Sequence, residues 1–152
     1  MPVVRRSRTI DAPAERVWSV LEDPHHMPRW WPEVKRVEGV EEDRFTQVFT
    51  TRKGRAVRMD FRLLESEPPL AVRERPGRRV WEQELAGTPF ERVLGEATTE
   101  VVIEPAGDRT LVTIELRQRL RGYSRTGGFL LRRATRARLD EALAGLAEIV
   151  SG

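Results

Sequence analysis

Between residues 127 and 150 the positions suited to burial return at three- and four-residue steps: Leu131, Thr135, Leu139, Ala142, Leu143, Leu146, Ile149 and Val150. At roughly 100° per residue they form one stripe, while Arg133, Ala137, Asp140, Glu141, Ala144 and Glu148 fall on the opposite, solvated side. Gly127-Gly128 marks the start of this helix and Ser151-Gly152 its end. A helix of about 24 residues spans roughly 36 Å, enough to cross a whole small sheet. The rest of the chain must therefore supply one apolar surface of that length.

It has the pattern to do so. From residue 33 to 121 the apolar period is two and turn signals recur, which reads as six strands joined mostly as hairpins. They are expected at 34–40, at 45–52, and in a third run where Val57, Met59, Phe61 and Leu63 alternate with Arg58, Asp60 and Arg62. Residues 70–85 read as a hairpin or one long bent strand interrupted at Pro76-Gly77, with Trp81, Gln83 and Leu85 facing one way. In 95–104, Ala97, Thr99, Val101 and Ile103 share a face, and the last strand puts Val112, Ile114, Leu116 and Leu120 together. Upstream, Val3–Ile10 reads as an edge strand stopped by Asp11-Ala12-Pro13. A helix burying Val17, Trp18 and Leu21 follows, then a short aromatic helical turn at 25–31 boxed between Pro24 and Pro32. This order predicts a single α+β domain over 1–152: a seven-stranded antiparallel sheet, wet on one face and covered on the other by the terminal helix.

Several chemistries are excluded by what is missing. Cysteine is absent, which rules out disulfides, thiolate nucleophiles and sulfur-ligated zinc. His25 and His26 are the only histidines, adjacent in a turn, and no ligand set at metal spacing accompanies them. No Ser-His-Asp set, phosphate-cradling glycine loop or dinucleotide fingerprint is visible, so neither a catalytic group nor a bound metal or nucleotide cofactor is expected. Asp60 reads as an exposed partner of a neighbouring arginine, and Glu82, Glu84 and Glu115 fall on the polar phase of their strands. The opening Met-Pro-Val-Val-Arg-Arg has no apolar run behind it, and no stretch approaches about 20 apolar residues, so a cytoplasmic chain without a membrane span is expected.

All but Lys35 and Lys53 of the 27 basic residues are arginine. From 117 to 139 there are eight arginines and no acid, which reads either as solvated strand and helix faces or as a patch for an anionic ligand or membrane surface. Nucleic acid is not expected, because interleaved aromatics and groove-reading motifs are lacking. Oligomeric state is left open.

Ile10-Asp11-Ala12-Pro13, followed by Val17-Trp18, Leu21, Asp23, Trp31-Pro32 and Val37, then Gly107-Asp108-Arg109-Thr110-Leu111-Val112 and the long terminal helix, carry a resemblance over essentially the full length. The chain resembles the START-like helix-grip superfamily, which includes Bet v 1-like proteins and the polyketide cyclase/dehydrase and lipid-transport proteins. The resemblance implies a curved seven-stranded sheet gripping the terminal helix, with an elongated cavity between them for an apolar or amphipathic small molecule. It also implies an alternative, a cyclase or aromatase acting on polyketide chains in the same cavity; fold likeness does not choose between the two.

Given such a cavity, the inward phases select its lining: Trp31, Phe49, Met59, Phe61, Trp81, Thr99, Val101, Val112, Ile114, Leu116, Leu131, Thr135 and Leu139. Arg132 and Arg138 border the helix stripe, where a long stem packs on apolar surface while its head reaches an anion or water. Tyr123, just ahead of the helix, is expected to close one end. The small residues Ala97, Thr99, Thr135 and Ala142 argue that the helix roofs a pocket, met by the ligand around 131–139. Gly145 is expected to allow close backbone approach.

Overall fold

The computed structural model describes residues 3–122 and 125–151. Strand β1 (Val3–Ile10) leads into helices α1 (Ala14–Leu21) and α2 (Met27–Trp30), the latter entered through a 3₁₀ turn at Pro24–His26. Six strands follow, β2 (Val34–Glu38), β3 (Arg44–Thr50), β4 (Ala56–Glu67), β5 (Gly77–Gln83), β6 (Leu94–Ala106) and β7 (Arg109–Leu120), and helix α3 (Arg125–Ser151) closes the chain. The sheet is antiparallel throughout in the order β1-β7-β6-β5-β4-β3-β2. Its two edges, β1 and β2, are consecutive in the chain, so α1 and α2 carry the backbone from one edge to the other.

Local chemistry sets these boundaries. The Asp23 side chain accepts from the His25 backbone N–H at 3.0 Å and caps the 3₁₀ turn. Gly107, at φ +67°, makes the tight turn between β6 and β7, which pair from Ala106–Arg109 onward. Thr110 Oγ1, fully buried, donates to the Ala12 carbonyl at 2.7 Å and pins the β1–α1 corner onto β7. Register shifts at Val34/Arg36, Leu63/Glu65 and Leu94/Glu96 bend the sheet. The expected strand or hairpin leg before Pro76 is instead a 3₁₀ turn at Ala71–Arg73 closed by one bridge, Leu70 to Arg75. Pro68-Pro69 removes the amide donors a ladder there would need.

The core lies between the inner sheet face and the helices. Ile10, Val17, Leu21, Met27, Val101, Ile103, Val112 and Ile114 pack with Leu139, Ala142, Leu143, Leu146 and Val150. The second half of α3 thus closes a solid core. Arg6 of β1 donates to Asp140 of α3 at 2.8 Å, tying the edge strand to the helix.

Arginine covers the outer face in pairs with acids, some across strands and some along one strand. Glu38 takes Arg36 at 2.6 Å and Arg58 at 3.2 Å, Glu100 takes Arg78 at 2.7 Å, and Glu82 pairs with Arg62. Asp60 accepts from Thr46 at 2.6 Å, not from an arginine as expected, because Thr46 is its direct partner in register. Glu115 is the most enclosed of these acids, its side chain 11% exposed. Burial alone pushes its carboxyl up, but Arg5 at 3.0 Å and Arg117 at 3.3 Å reverse this and hold it below its ordinary value. A depressed carboxylate contributes stability that is present above its unfolded-state value, about 4.3, and is lost as pH falls through the folded-state value. Urea midpoints should therefore fall less steeply from pH 5 to 3 in Glu115→Gln than in the parent protein; equal slopes would show that this carboxylate has no part in acid sensitivity.

Candidate functional site

Beside the middle of α3, at Arg138, packing against the sheet is incomplete and leaves a cavity of about 140 Å³. The inner face supplies Gln47 and Phe49 from β3, Met59 and Phe61 from β4, Trp81 and Gln83 from β5, Leu94, Ala97 and Thr99 from β6, and Leu116 and Gln118 from β7. Trp31 after α2, Phe90 from the 3₁₀ turn Pro89–Arg92, and Arg138 of α3 complete the wall. Aromatic packing holds the floor rigid. Trp81 meets Trp31 edge-on at 6.3 Å and Phe45 at 6.2 Å, and Phe45 stacks on Phe61 at 5.2 Å.

Of the residues expected from phase, Trp31, Phe49, Met59, Phe61, Trp81, Thr99, Leu116 and Arg138 come together here. Val101, Val112, Ile114 and Leu139 do not line the cavity; all four are fully buried in the core beside it. Val101, Val112 and Ile114 share a sheet face with the lining residues but sit farther along it, while Leu139 belongs to the half of α3 that packs against the core. Thr135 is buried and Leu131 half-buried, both off the lining, and Arg132 is exposed. Within the stretch 131–139 the helix meets the cavity through Arg138, and Leu131, Thr135 and Leu139 stand off its lining. Tyr123 lies outside the described residues.

Six lining residues were missed. Parity was available for Gln47, between Phe45 and Phe49, for Gln83, in phase with Trp81, and for Gln118, in phase with Leu116. Ala97 was placed on the inner face but not in the wall. Phe90 and Leu94 come from a turn and a strand start, where no period operates.

The polar groups in the wall are mostly amides. Gln47 Nε2 donates to Met27 Sδ at 3.2 Å, and Gln83 Nε2 is buried without a partner. Arg138 donates to Glu33 at 3.3 Å, both side chains substantially exposed; Glu33 adopts φ +69°, rare for a residue with a side chain. No carboxylate or histidine stands among the lining residues, and no cluster of potential metal ligands occurs among the described residues. His25 lies away from the cavity, with its ring against Asp23 at 2.9 Å.

A wider groove of about 540 Å³ lies near the opposite end of β5, around Arg79 and Glu22, Asp23, Glu41 and Glu42. Arg79 is 7% exposed and donates to Ser66 at 2.8 Å; burial pushes its guanidinium down, and the charges of Glu22 and Asp23 pull it back. In the arginine-rich segment, Arg117 and Arg138 are held by Glu115 and Glu33, while Arg132, Arg133 and Arg136 stay exposed near exposed Phe129 and Leu130. No described helix is long and apolar enough to cross a membrane.

Solved structures share this architecture. The di-domain aromatase/cyclase BexL superposes with a TM-score of 0.75 at 24% identity, covering 97% of this chain, which in turn spans only 46% of that protein. A START superfamily protein from Mycobacterium smegmatis gives 0.73 at 15% identity, covering 98% of this chain and 97% of its own. The Zhui aromatase/cyclase from a Streptomyces species gives 0.69 at 17%, covering 99% and 93%. At such identities the likeness establishes the fold alone. No functionally curated protein matches the sequence. The family described as polyketide cyclase / dehydrase and lipid transport matches residues 1–151, and with the seven-stranded sheet and its long C-terminal helix in place, the chain belongs to that family.

Proposed function

We propose that this protein binds a hydrophobic or amphipathic small molecule in the cavity between the sheet and α3. The observation that carries the reading is the cavity itself: in a core otherwise packed solid, aromatic and aliphatic side chains from five strands surround empty space with a few polar groups among them. Burial and shape supply the affinity, and the amides orient the occupant.

The cyclase or aromatase reading has two neighbours of that name in its favour. Proton transfer within such a site calls for an acid or base with hydrogen-bond reach into the cavity. The one ionisable side chain in the wall, Arg138, is a hydrogen-bond donor already occupied by Glu33. Binding is therefore the better-supported activity.

Titration with hydrophobic probes from indane to palmitate, followed by the fluorescence of wall residues Trp31 and Trp81, tests the proposal. At least one probe is expected to saturate. Ala97→Phe places a ring in the cavity and should weaken that probe by about 100-fold or more while far-UV circular dichroism stays unchanged, because the ring takes the space the probe needs. Saturation by no probe, or unchanged affinity in folded Ala97→Phe, would refute binding at this site.

A further inference from the structure

The solvent side of α3 changes character along its length. Its second half exposes Asp140, Glu141 and Glu148, whereas its first half exposes Arg132, Arg133 and Arg136. Asp140 is the first acid after Glu115. Arg132 and Arg136 stand four residues apart, and Arg133 and Arg136 three, the spacings at which like charges on a helix repel. Among the described residues the ion pairs of α3 are Arg138 with Glu33 and Asp140 with Arg6, so no described acid offsets the three exposed arginines. The first turn of the helix carries no acid either, although the helix dipole favours one there. The stability of α3 itself therefore does not account for this cluster.

Two large apolar side chains stand within it. Phe129 is 64% and Leu130 59% exposed. At 3.6 residues per turn Phe129, Arg133 and Arg136 project within about 60° of one another, with Leu130 and Arg132 on the two flanks. Exposed apolar surface and crowded positive charge are both poorly served by water. A surface that satisfies them together has an anionic layer over an apolar one. A bilayer containing anionic lipid has that profile, and a helix bearing arginines around Phe and Leu side chains is suited to lie in its interface. Nucleic acid offers the charge but no apolar layer for Leu130.

We infer that the first half of α3 is a docking surface for an anionic lipid bilayer. The helix lies among the headgroups with Phe129 and Leu130 inserted, while the arginine stems follow the apolar surface and their heads meet the lipid anions. These residues stand outside the cavity lining, so the inference holds whatever the cavity binds.

Cosedimentation with vesicles tests it. The protein should bind vesicles of phosphatidylcholine with phosphatidylserine, and bind phosphatidylcholine alone at least about tenfold more weakly; raising salt from roughly 0.05 to 0.5 M should cost about tenfold or more. Combining Arg132→Gln, Arg133→Gln and Arg136→Gln should weaken binding about 100-fold, from about 1 kcal/mol per arginine at 1.4 kcal/mol per factor of ten. Combining Arg36→Gln, Arg58→Gln and Arg62→Gln removes the same charge from the outer face of the sheet and should cost less than about tenfold, because screening isolates charges that distant from the lipid. Phe129→Ser with Leu130→Ser leaves the charge intact and should still weaken binding about tenfold or more, through lost apolar insertion. All the substituted side chains are exposed, and melting curves confirm that each variant folds. Absence of binding to the mixed vesicles overturns the inference, as do equal losses in the two arginine triples or unchanged affinity in the Phe129–Leu130 variant. Displacement of the protein from the vesicles by single-stranded DNA at equal phosphate would assign the surface to nucleic acid instead and overturn it as well.

Discussion

Replacing Trp81 by alanine is expected to lower the unfolding free energy by about 3–5 kcal/mol, the usual cost of deleting a large buried aromatic. Trp81 is 1% exposed and sits where the solid core gives way to the cavity, touching Trp31 and Phe45 edge-on. Each aromatic pair adds roughly 0.5–1.5 kcal/mol beyond the area it buries, and the vacancy would merge with existing empty space, so little collapse can repair it. Against a total stability of about 5–15 kcal/mol for a domain, this is a third or more. Urea unfolding followed by circular dichroism measures it, and a loss under about 1 kcal/mol would show that Trp81 does not hold the floor of the site. Trp81→Phe, which keeps one ring, should cost distinctly less.

The second large effect runs against intrinsic helix propensity. Glycine to alanine inside a helix ordinarily gains up to about 1 kcal/mol. At Gly145, however, an added Cβ would lie 2.8 Å from the Trp30 carbonyl oxygen and 3.0 Å from its Cα. Those atoms are backbone and cannot rotate away, so α3 and the end of α2 must be pushed apart. Gly145→Ala is expected to destabilise by about 1–3 kcal/mol, the range for overpacking, and Gly145→Leu by more. Gly128, on the same helix with nothing within 4 Å of an added Cβ, supplies the control: Gly128→Ala should stabilise by up to about 1 kcal/mol. Two substitutions of one type on one helix with the same sign would refute the close-approach argument.

The arginine content has a plainer origin than a binding surface for much of its extent. On the outer face Arg5, Arg58, Arg62 and Arg78 pair with acids on another strand, and Arg36 and Arg117 with acids on their own strand. Exposed pairs of this kind contribute little each. Their value is in keeping the outer face soluble and specifying which strand lies beside which.

Local order was written plainly in the chain. The alternation of Val57, Met59, Phe61 and Leu63, and of Ala97, Thr99, Val101 and Ile103, identifies strands and their inward faces, because a strand's side chains alternate whatever the strand packs against. The three- and four-residue steps from Leu139 to Val150 identify the burying face of α3 for the same reason. Gly145 could be read as a point of close approach, since no other residue lacks a Cβ. From these come the α+β class and the order of elements; the family is legible only through the resemblance carried by motifs such as Ile10-Asp11-Ala12-Pro13 and Trp31-Pro32.

Depth was not written there. Thr99 and Val101 are two positions apart on one face of one strand, yet Thr99 lines the cavity and Val101 is sealed in the core. Likewise Leu116 faces the void and Ile114 does not. Periodicity reports which way a side chain points, and that is a property of its own backbone. Whether it meets a neighbour or empty space depends on where α3, the turn carrying Phe90, and Trp31 come to rest, all distant in sequence. Gln47, Gln83 and Gln118 show the same division. Their parity placed them inward, but an amide is tolerated there only beside space, a partner or a ligand, and the tertiary structure alone decides which of those it finds.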